Sequence, residues 1–246
     1  MVNHALIAAV GEVGKGFVKE RTSETLPCQA QDKLFCWDWA REHIDRYGTP
    51  TLQHLEIVVI SVLAGFLLAF ALALLAHRRA WLRPTFLFGT GILYTIPSVA
   101  FFFLLAPITG RSDLTAIIAL SAYTLQIIYR NTMTGLANVP DSVKDAARGV
   151  GLTERQILWK VELPLATPEI VAGLRIATVS TVALATLAVL VGAGGLGTQI
   201  YGRGNLQFAT TIIIAGGIAM LMALVFDALL LLGQRLLMPW RRTIAG

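Results

Sequence analysis

Long apolar stretches constrain the fold of this chain more than any other feature of its sequence. A helix needs about 20 consecutive apolar residues to cross the roughly 30 Å hydrocarbon core of a bilayer. Five stretches reach or approach that length, at residues 52–76, 85–108, 114–128, 170–191 and 208–232. Only 14% of the 246 residues are charged, compared with about 25% in soluble domains. The sequence therefore predicts an all-α, polytopic transmembrane bundle of about five spanning helices within residues 52–238.

The Lys and Arg residues outside these stretches are distributed unevenly. Eleven of them lie in three segments, which follow the first and the fifth stretch and separate the third from the fourth. The two remaining connections hold one each, Arg111 and Arg203. Because cytoplasmic loops are enriched in Lys and Arg, we expect the N-terminus outside and residues 239–246 as a cytoplasmic tail. This bias explains the net charge of +5 without nucleic-acid binding, for which no basic helix or aromatic platform is evident.

The first 51 residues are expected to form an extracytoplasmic tail. Their apolar segment, residues 5–10, is shorter than the 7–15 residues of a signal-peptide core. An alternative is a sixth, weakly apolar spanning segment near residues 1–18. Residues 34–47 place apolar side chains at helical spacing and include two tryptophans and a tyrosine, which favour the membrane–water interface. The tail is therefore predicted to contain a short amphipathic helix.

Two cysteines, Cys28 and Cys36, lie in this tail. An extracytoplasmic compartment permits disulfides, and the loop between the two residues is short, so we predict a disulfide between them. Two cysteines are too few for a metal site, and the four histidines show no ligand spacing with them. We therefore expect no metal site in this chain.

The connection between the third and fourth stretches, residues 131–169, is too long for a simple link, since connections in compact bundles usually have 2–8 residues. Its capping and helix-breaking residues predict two short helices, bounded by Asp141 or Ser142, Gly149 and Gly151, Thr153, and Pro164. A structured cytoplasmic loop of this kind is what a membrane protein needs to receive force from a soluble partner.

This loop resembles the EAA signature of the permease subunits of bacterial ATP-binding-cassette (ABC) importers. That signature runs Glu-Ala-Ala, three residues, Gly, nine residues, Ile, any residue, and Leu-Pro. The matching positions are Asp145, Ala146, Ala147, Gly151, Val161, Leu163 and Pro164. Asp replaces Glu and Val replaces Ile, and both changes keep the chemistry. The resemblance implies a type I ABC-importer permease-like fold in which these residues couple the chain to an ATPase.

Four further motifs between residues 51 and 235 are similar to the permeases of osmoprotectant importers, which carry glycine betaine, choline or carnitine. They are Tyr94-Thr95-Ile96-Pro97-Ser98, Arg130-Asn131-Thr132-Met133-Thr134-Gly135, Ala172-Gly173-Leu174-Arg175 and Gly192-Ala193-Gly194-Gly195-Leu196-Gly197. The resemblance implies a second permease, identical or paralogous, two cytoplasmic ATPase subunits that bind ATP and Mg²⁺, and an external substrate-binding protein. The chain itself would be a transporter subunit of the bacterial plasma membrane and not an enzyme, and its sequence contains no P-loop motif.

Six residues are candidates for the wall of the substrate pathway. Pro97 is expected to kink the second stretch, and Tyr94 and Ser98 lie beside it. The other three are Thr181, in a fourth stretch rich in hydroxyl groups, and Gly194 and Gly195, in a turn that follows it. Helix packing and interhelical hydrogen bonds explain the same residues equally well.

Two other functions remain open at this level. One is a permease of the same architecture for amino acids, methionine or an oxyanion. The other is a secondary carrier driven by an ion gradient, although carriers usually contain internal repeats and charges near the bilayer midplane. Asp227 lies toward one end of the fifth stretch and is expected to make a structural hydrogen bond. Arg175 is expected to extend to the cytoplasmic interface.

Overall fold

The computed structural model describes residues 34–202 and 208–238, except for the side chain of Leu237. All regular structure in these residues is helical, as predicted. The α-helices are α1 (Trp37–Glu42), α2 (Gly48–Arg78), α3 (Leu82–Thr95), α4 (Ser98–Thr109), α5 (Asp113–Ala137), α6 (Asp141–Gly149), α7 (Glu154–Ile157), α8 (Leu163–Ala185), α9 (Gly197–Tyr201) and α10 (Ala209–Leu237). Two 3₁₀ turns, Ile44–Tyr47 and Thr186–Val191, and a π-turn, Leu158–Glu162, complete them. The possible span near residues 1–18 and the tail at 239–246 lie outside the described residues.

Three continuous helical segments are long and apolar enough to cross a bilayer, namely Ile44–Arg78, Glu154–Val191 and Ala209–Leu236. Helices α3 and α4 form a fourth candidate span, which is bent by 96° between them. The remaining predicted stretch, 114–128, lies in α5, whose 25 residues extend for about 37 Å. Its composition is more polar than that of the other candidate spans, and three of its threonines, Thr115, Thr124 and Thr132, are buried within the bundle.

The bend between α3 and α4 is sharper than the kink expected at Pro97. Ile96 is extended, with ψ of 126°, as is usual before a proline, and its free carbonyl accepts a hydrogen bond from the hydroxyl of Tyr123. Four hydrogen bonds join α3 and α4 to α5, and their partners on α5 move steadily toward its N-terminus as the chain advances. They pair Arg83 with Tyr129, Thr90 with Gln126, Ile96 with Tyr123 and Thr109 with Thr115. Because the order never reverses, α3 and α4 form a broken span and not a re-entrant loop.

Helix α5 lies at the centre of the bundle, between α2 and α8. Its fully buried side chains include Leu120 and Ile128. Two glycines allow the neighbouring helices to approach closely: a side chain at Gly65 would overlap Thr124, and one at Gly173 would overlap Asn131. Small residues at helix contacts are the usual means of tight packing in membranes.

The two ends of the bundle differ, and we name them by what they carry. The loop end carries α6 and α7, together with the C-terminal ends of α2 and α10. The turn end carries residues 192–196 and the N-terminal ends of α2 and α10. Residue 34 is therefore at the turn end and residue 238 at the loop end, which agrees with an odd number of crossings.

The amphipathic helix predicted in the tail is present in a shortened form, as α1 and the 3₁₀ turn that follows it. It packs on the start of α10: the backbone N–H of Cys36 donates to Oγ1 of Thr210 at 2.9 Å, and the rings of Trp39 and Phe208 meet edge to face at 4.9 Å. The predicted disulfide involves Cys28, which lies outside the described residues, so the pairing stays a prediction.

Candidate functional site

Helix α6 projects from the loop end and contains the first part of the EAA-like motif. Of its nine residues, only Ala147 is buried. Asp145 and Ala146 are exposed, and so are Val143 and, just beyond the helix, Val150, which is 79% exposed. An exposed helix that offers apolar side chains beside charged ones has the character of a protein-docking surface.

Gly151 ends α6 by a Schellman motif. Its φ of +85° is in the left-handed region, where only glycine avoids a steric penalty. The N–H of Leu152 donates to the carbonyl of Ala147 at 3.1 Å, and that of Gly151 to Arg148 at 2.9 Å, which is the hydrogen-bond pattern of this motif. The glycine of the signature is therefore required by backbone geometry at the point where the chain reverses.

The helix caps around this turn agree only partly with the sequence predictions. Thr153 caps the second helix, as predicted, and forms a complete capping box with Gln156. Asp141 and Ser142 do not cap the first helix, because Pro140 occupies the N-cap position. Asp141 instead forms an ion pair with Lys144 at 2.8 Å, and this hydrogen bond lowers the pKa of the Asp141 carboxyl.

Arg148 connects the two short helices of the loop. Its guanidinium donates to Oδ1 of Asp145 at 2.7 Å and to Oε1 of Glu154 at 2.8 Å, and these carboxylates raise the pKa of Arg148. This bridge was not predicted from the sequence. The Asp145–Arg148 spacing of i, i+3 is a recognisable signal, whereas the contact with Glu154 exists only because Gly151 reverses the chain.

The second half of the motif lies where the loop joins α8. Pro164 was predicted to end the second helix, and this is wrong, since one helical segment runs from Glu154 to Val191. The π-turn explains the difference: the N–H of Leu163 donates to the carbonyl of Leu158, so the turn before Pro164 is wider than an α-turn and accommodates the ring. Leu163 is buried, whereas Val161 is partly exposed.

The glycine-rich turn is anchored to helices α2 and α5. The N–H of Gly194 donates to Oδ1 of Asp113 at 2.8 Å, and that of Gly195 to Oε1 of Gln53 at 3.2 Å. Gly195 has a φ of +99° and lies against His54, whose Nε2 donates to the carbonyl of Val182 at 3.1 Å. The two glycines are therefore held in place from within the bundle.

Of the other pathway candidates, Tyr94 lines a cavity of about 610 Å³ beside α3, together with Phe88, Gly91 and Gln126. Tyr94 is 48% exposed. Pro97 and Ser98 lie at the bend that follows. Thr181 is buried, and its hydroxyl donates to the carbonyl of Ala177 at 2.7 Å, so it belongs to the packed core of the bundle.

Arg175 pairs with a residue of a neighbouring helix, and its expected position at the cytoplasmic interface stays a prediction. Its Nε and Nη2 donate to the two carboxylate oxygens of Asp227 at 2.7 and 2.8 Å, which joins α8 to α10. Each side chain is about one third exposed. The hydrogen bond expected of Asp227 is therefore part of a bidentate ion pair, which offsets the cost of two charges within spanning helices. In the described residues, no group of His, Cys, Asp and Glu side chains is arranged to hold a metal ion.

The known proteins that this chain resembles in sequence are membrane components of transport systems. Residues 61–243 match the family described as binding-protein-dependent transport system inner membrane component. The choline transport system permease protein OpuBB of Bacillus subtilis is 35% identical over 190 residues, which cover 77% of this chain and 87% of that protein. The osmoprotectant import permease protein OsmW of Salmonella typhimurium is 36% identical over 195 residues, which cover 77% and 90%.

Solved structures agree on the fold. The MetNI methionine ABC transporter in an inward-facing conformation matches with 23% identity and a TM-score of 0.64, over 77% of this chain and 93% of that one. An amino acid ABC transporter crystallised with histidines matches with 19% identity and a TM-score of 0.65, over 81% and 98%. The predicted type I importer-like fold is confirmed. The chain belongs to the family of inner membrane components of binding-protein-dependent transport systems.

Proposed function

We propose that this chain is a permease subunit of an ABC importer for osmoprotectants with a quaternary ammonium group, such as choline, glycine betaine and carnitine. The observation that carries the proposal is the identity of 35–36% to permeases named for choline and osmoprotectant transport, which extends over 77% of the chain. The likeness to a methionine ABC transporter and to an amino acid ABC transporter is lower in identity and concerns the fold alone.

The proposed partners are two cytoplasmic ATPase subunits, which bind ATP and Mg²⁺, a second permease and an external binding protein. Helix α6 is proposed to occupy a groove on one ATPase, because it is exposed and Arg148 joins it to Glu154 at the start of the long helical segment. The chain then moves as a rigid body when the ATPases close on ATP. In this assignment it binds no cofactor and catalyses no reaction of its own.

The orientation follows from the charges. In the described part of the chain, the segments rich in Lys and Arg lie at the loop end, which is therefore proposed to be cytoplasmic. The turn end and residue 34 then lie outside, and the chain spans the bacterial plasma membrane with its C-terminus inside. Helix α6 is thus on the side where ATP is available, as the mechanism needs.

The cavity beside α3 is proposed as part of the substrate pathway. Its lining has no charged side chain and includes the rings of Phe88 and Tyr94 and the amide of Gln126. Aromatic faces attract quaternary ammonium groups without hydrogen bonds, and a neutral lining releases such a cation more readily than a carboxylate would. These features suit passage better than tight binding.

The decisive experiment is to purify the tagged chain from membranes of its native host and to measure uptake in proteoliposomes. We expect an ATPase subunit to co-purify and uptake of radiolabelled choline or glycine betaine to need ATP and the binding protein. Gly151→Asp should abolish both co-purification and uptake with normal insertion, whereas Gly149→Ala, at a neighbouring glycine with open space around it, serves as the matched control.

Each competing function gives a different result in that experiment. ATP-dependent uptake of methionine, histidine or an oxyanion, with no uptake of choline or betaine, would keep the importer and replace the substrate. Uptake by the chain alone, driven by an ion gradient and unaffected by ATP depletion, would identify a secondary carrier and overturn the proposal.

A further inference from the structure

Glu162 is a buried carboxylate in an otherwise apolar row of side chains. Leu158, Glu162, Ala166 and Ile170 follow one another at intervals of four residues along one face of the long helical segment, and all four are buried. The exposed fraction of Glu162 is 5%. A buried carboxylate destabilises a protein unless it is paired, so its presence in this row requires a partner.

That partner is His77, in the last turn of α2. Its Nε2 lies 2.8 Å from Oε2 of Glu162, and the side chains of the two residues are 21% and 6% exposed. The apolar contacts of this row come from Phe66, Phe70 and Leu74 of α2. Apolar side chains can slide past one another, whereas a short charge-assisted hydrogen bond fixes direction and distance.

Polar contacts continue on both sides of this pair. Arg83 donates to the carbonyls of Ala76 and His77 at 3.4 and 3.3 Å, so the end of α2 is held to the start of α3. The hydroxyl of Tyr129, on α5, donates to the carbonyl of Arg83 at 3.1 Å. The end of α2 is thereby joined to α3 and, through Arg83, to α5.

On the loop side, Arg148 joins α6 to Glu154. Glu154 begins the long helical segment, and Glu162 is the last residue of the π-turn in that segment. A displacement of α6 therefore reaches Glu162 through one bridge and one continuous helix. The π-turn interrupts the regular i→i−4 hydrogen-bond ladder of that helix, and such interruptions are the places where helices bend. His77 holds the carboxylate just at this point.

We propose that His77 and Glu162 are positioning residues that transmit movement of the coupling loop to α2. This inference rests on the function proposed above, since it needs an ATPase that moves α6. If the pair is broken, the ATPases still bind α6 and hydrolyse ATP, but the π-turn deforms and α2 does not follow. Hydrolysis then proceeds with little transport.

The test is the ratio of solute taken up to ATP hydrolysed, measured in the same proteoliposomes for the complete transporter with its binding protein. His77→Leu and Glu162→Leu should each lower this ratio about tenfold, the value of one charged hydrogen bond, with ATPase co-purification unchanged. The double variant His77→Gln/Glu162→Gln keeps a hydrogen bond without charge and should restore the ratio to within about twofold. Arg78→Gln and Glu169→Gln are controls that remove a neighbouring charge and leave the pair intact.

A single variant that fails to fold is replaced by His77→Leu/Glu162→Leu, which leaves no unpaired charge and must still lower the ratio. An unchanged ratio in the leucine variants, with the complex intact, overturns the inference, and so does an equal loss in the double glutamine variant. Absence of an ATPase from the wild-type preparation is a different outcome, because it rejects the proposed function itself.

Discussion

The loop end and the turn end both depend on a glycine with positive φ, but they use it in opposite ways. A side chain at Gly151 would meet open space, whereas one at Gly195 would lie against His54. The polar contacts around Gly151 join exposed side chains, with Arg148 49% and Glu154 75% exposed. Those at the turn end start from backbone N–H groups of the turn itself and reach side chains of α5 and α2. One end is built to be contacted from outside, and the other is held from inside.

This comparison predicts that the turn end is the more sensitive to volume. A methyl group at Gly197 would overlap the carbonyl oxygen of Thr186, so Gly197→Ala should cost at least about 1–3 kcal/mol through overpacking. The measurement is the midpoint of thermal unfolding in detergent, with Gly216→Ala, in an open part of α10, as the control. A midpoint equal to that of the control would show that the turn end is not tightly packed.

At the loop end the conformation of the glycine matters more than its volume. Gly151→Ala has room for the methyl group but must adopt a φ of +85°, at a local cost of about 1–2 kcal/mol. We expect the unfolding midpoint to change little, because α6 is not part of the core, and the affinity for the ATPase to fall about tenfold. A large fall in the midpoint with normal ATPase affinity would reverse the comparison.

Removal of the exposed bridge should have a smaller effect. Arg148→Ala leaves Asp145 and Glu154 unpaired but solvated, and exposed ion pairs contribute little to stability. We expect an unchanged unfolding midpoint and a loss of ATPase affinity of roughly threefold. Lys144→Ala removes a different ion pair from the same helix and is the matched control, measured by the same co-purification titration.

The smallest expected effect is that of pH on α6. The hydrogen bond from Lys144 holds the pKa of Asp141 below its ordinary value, so its stabilising contribution is complete above the ordinary carboxyl pKa of about 4. This contribution is lost as pH falls through the lowered pKa. Hydrogen exchange of α6 should therefore be constant near neutral pH, and Asp141→Asn should remove any change seen at acidic pH. A change centred near pH 7 would contradict this assignment.

The sequence predicted the helices of this fold better than the bends and turns that connect them. Apolar length identified every long helix, and local chemistry identified Thr153 as a cap and Gly151 as a breaker. The 96° bend at Pro97 was underestimated, because a proline signals an interruption but its angle is set by the helices around it. Pro164 was misread because the π-turn that accommodates it leaves no clear mark in the sequence.

The paired charges were also beyond local reasoning. Arg175 and Asp227 lie on different helices, as do His77 and Glu162, and periodicity says nothing about which helices become neighbours. A weaker signal was available for Glu162, since a single acid in a row of apolar side chains must find a partner. The row itself could have been read from the sequence, although His77 could not have been named as the partner.

The polarity of α5 has a consequence for how the chain is made. A helix that does not qualify as a span by its own composition gains little by partitioning from the translocon into lipid alone. Helix α2 covers Thr124 of this helix and α8 covers Asn131, and α8 is synthesised later. We therefore expect α5 to remain beside the translocon, or against α2, until α8 emerges. Insertion of this protein is then a cooperative step of biogenesis and not a series of independent ones.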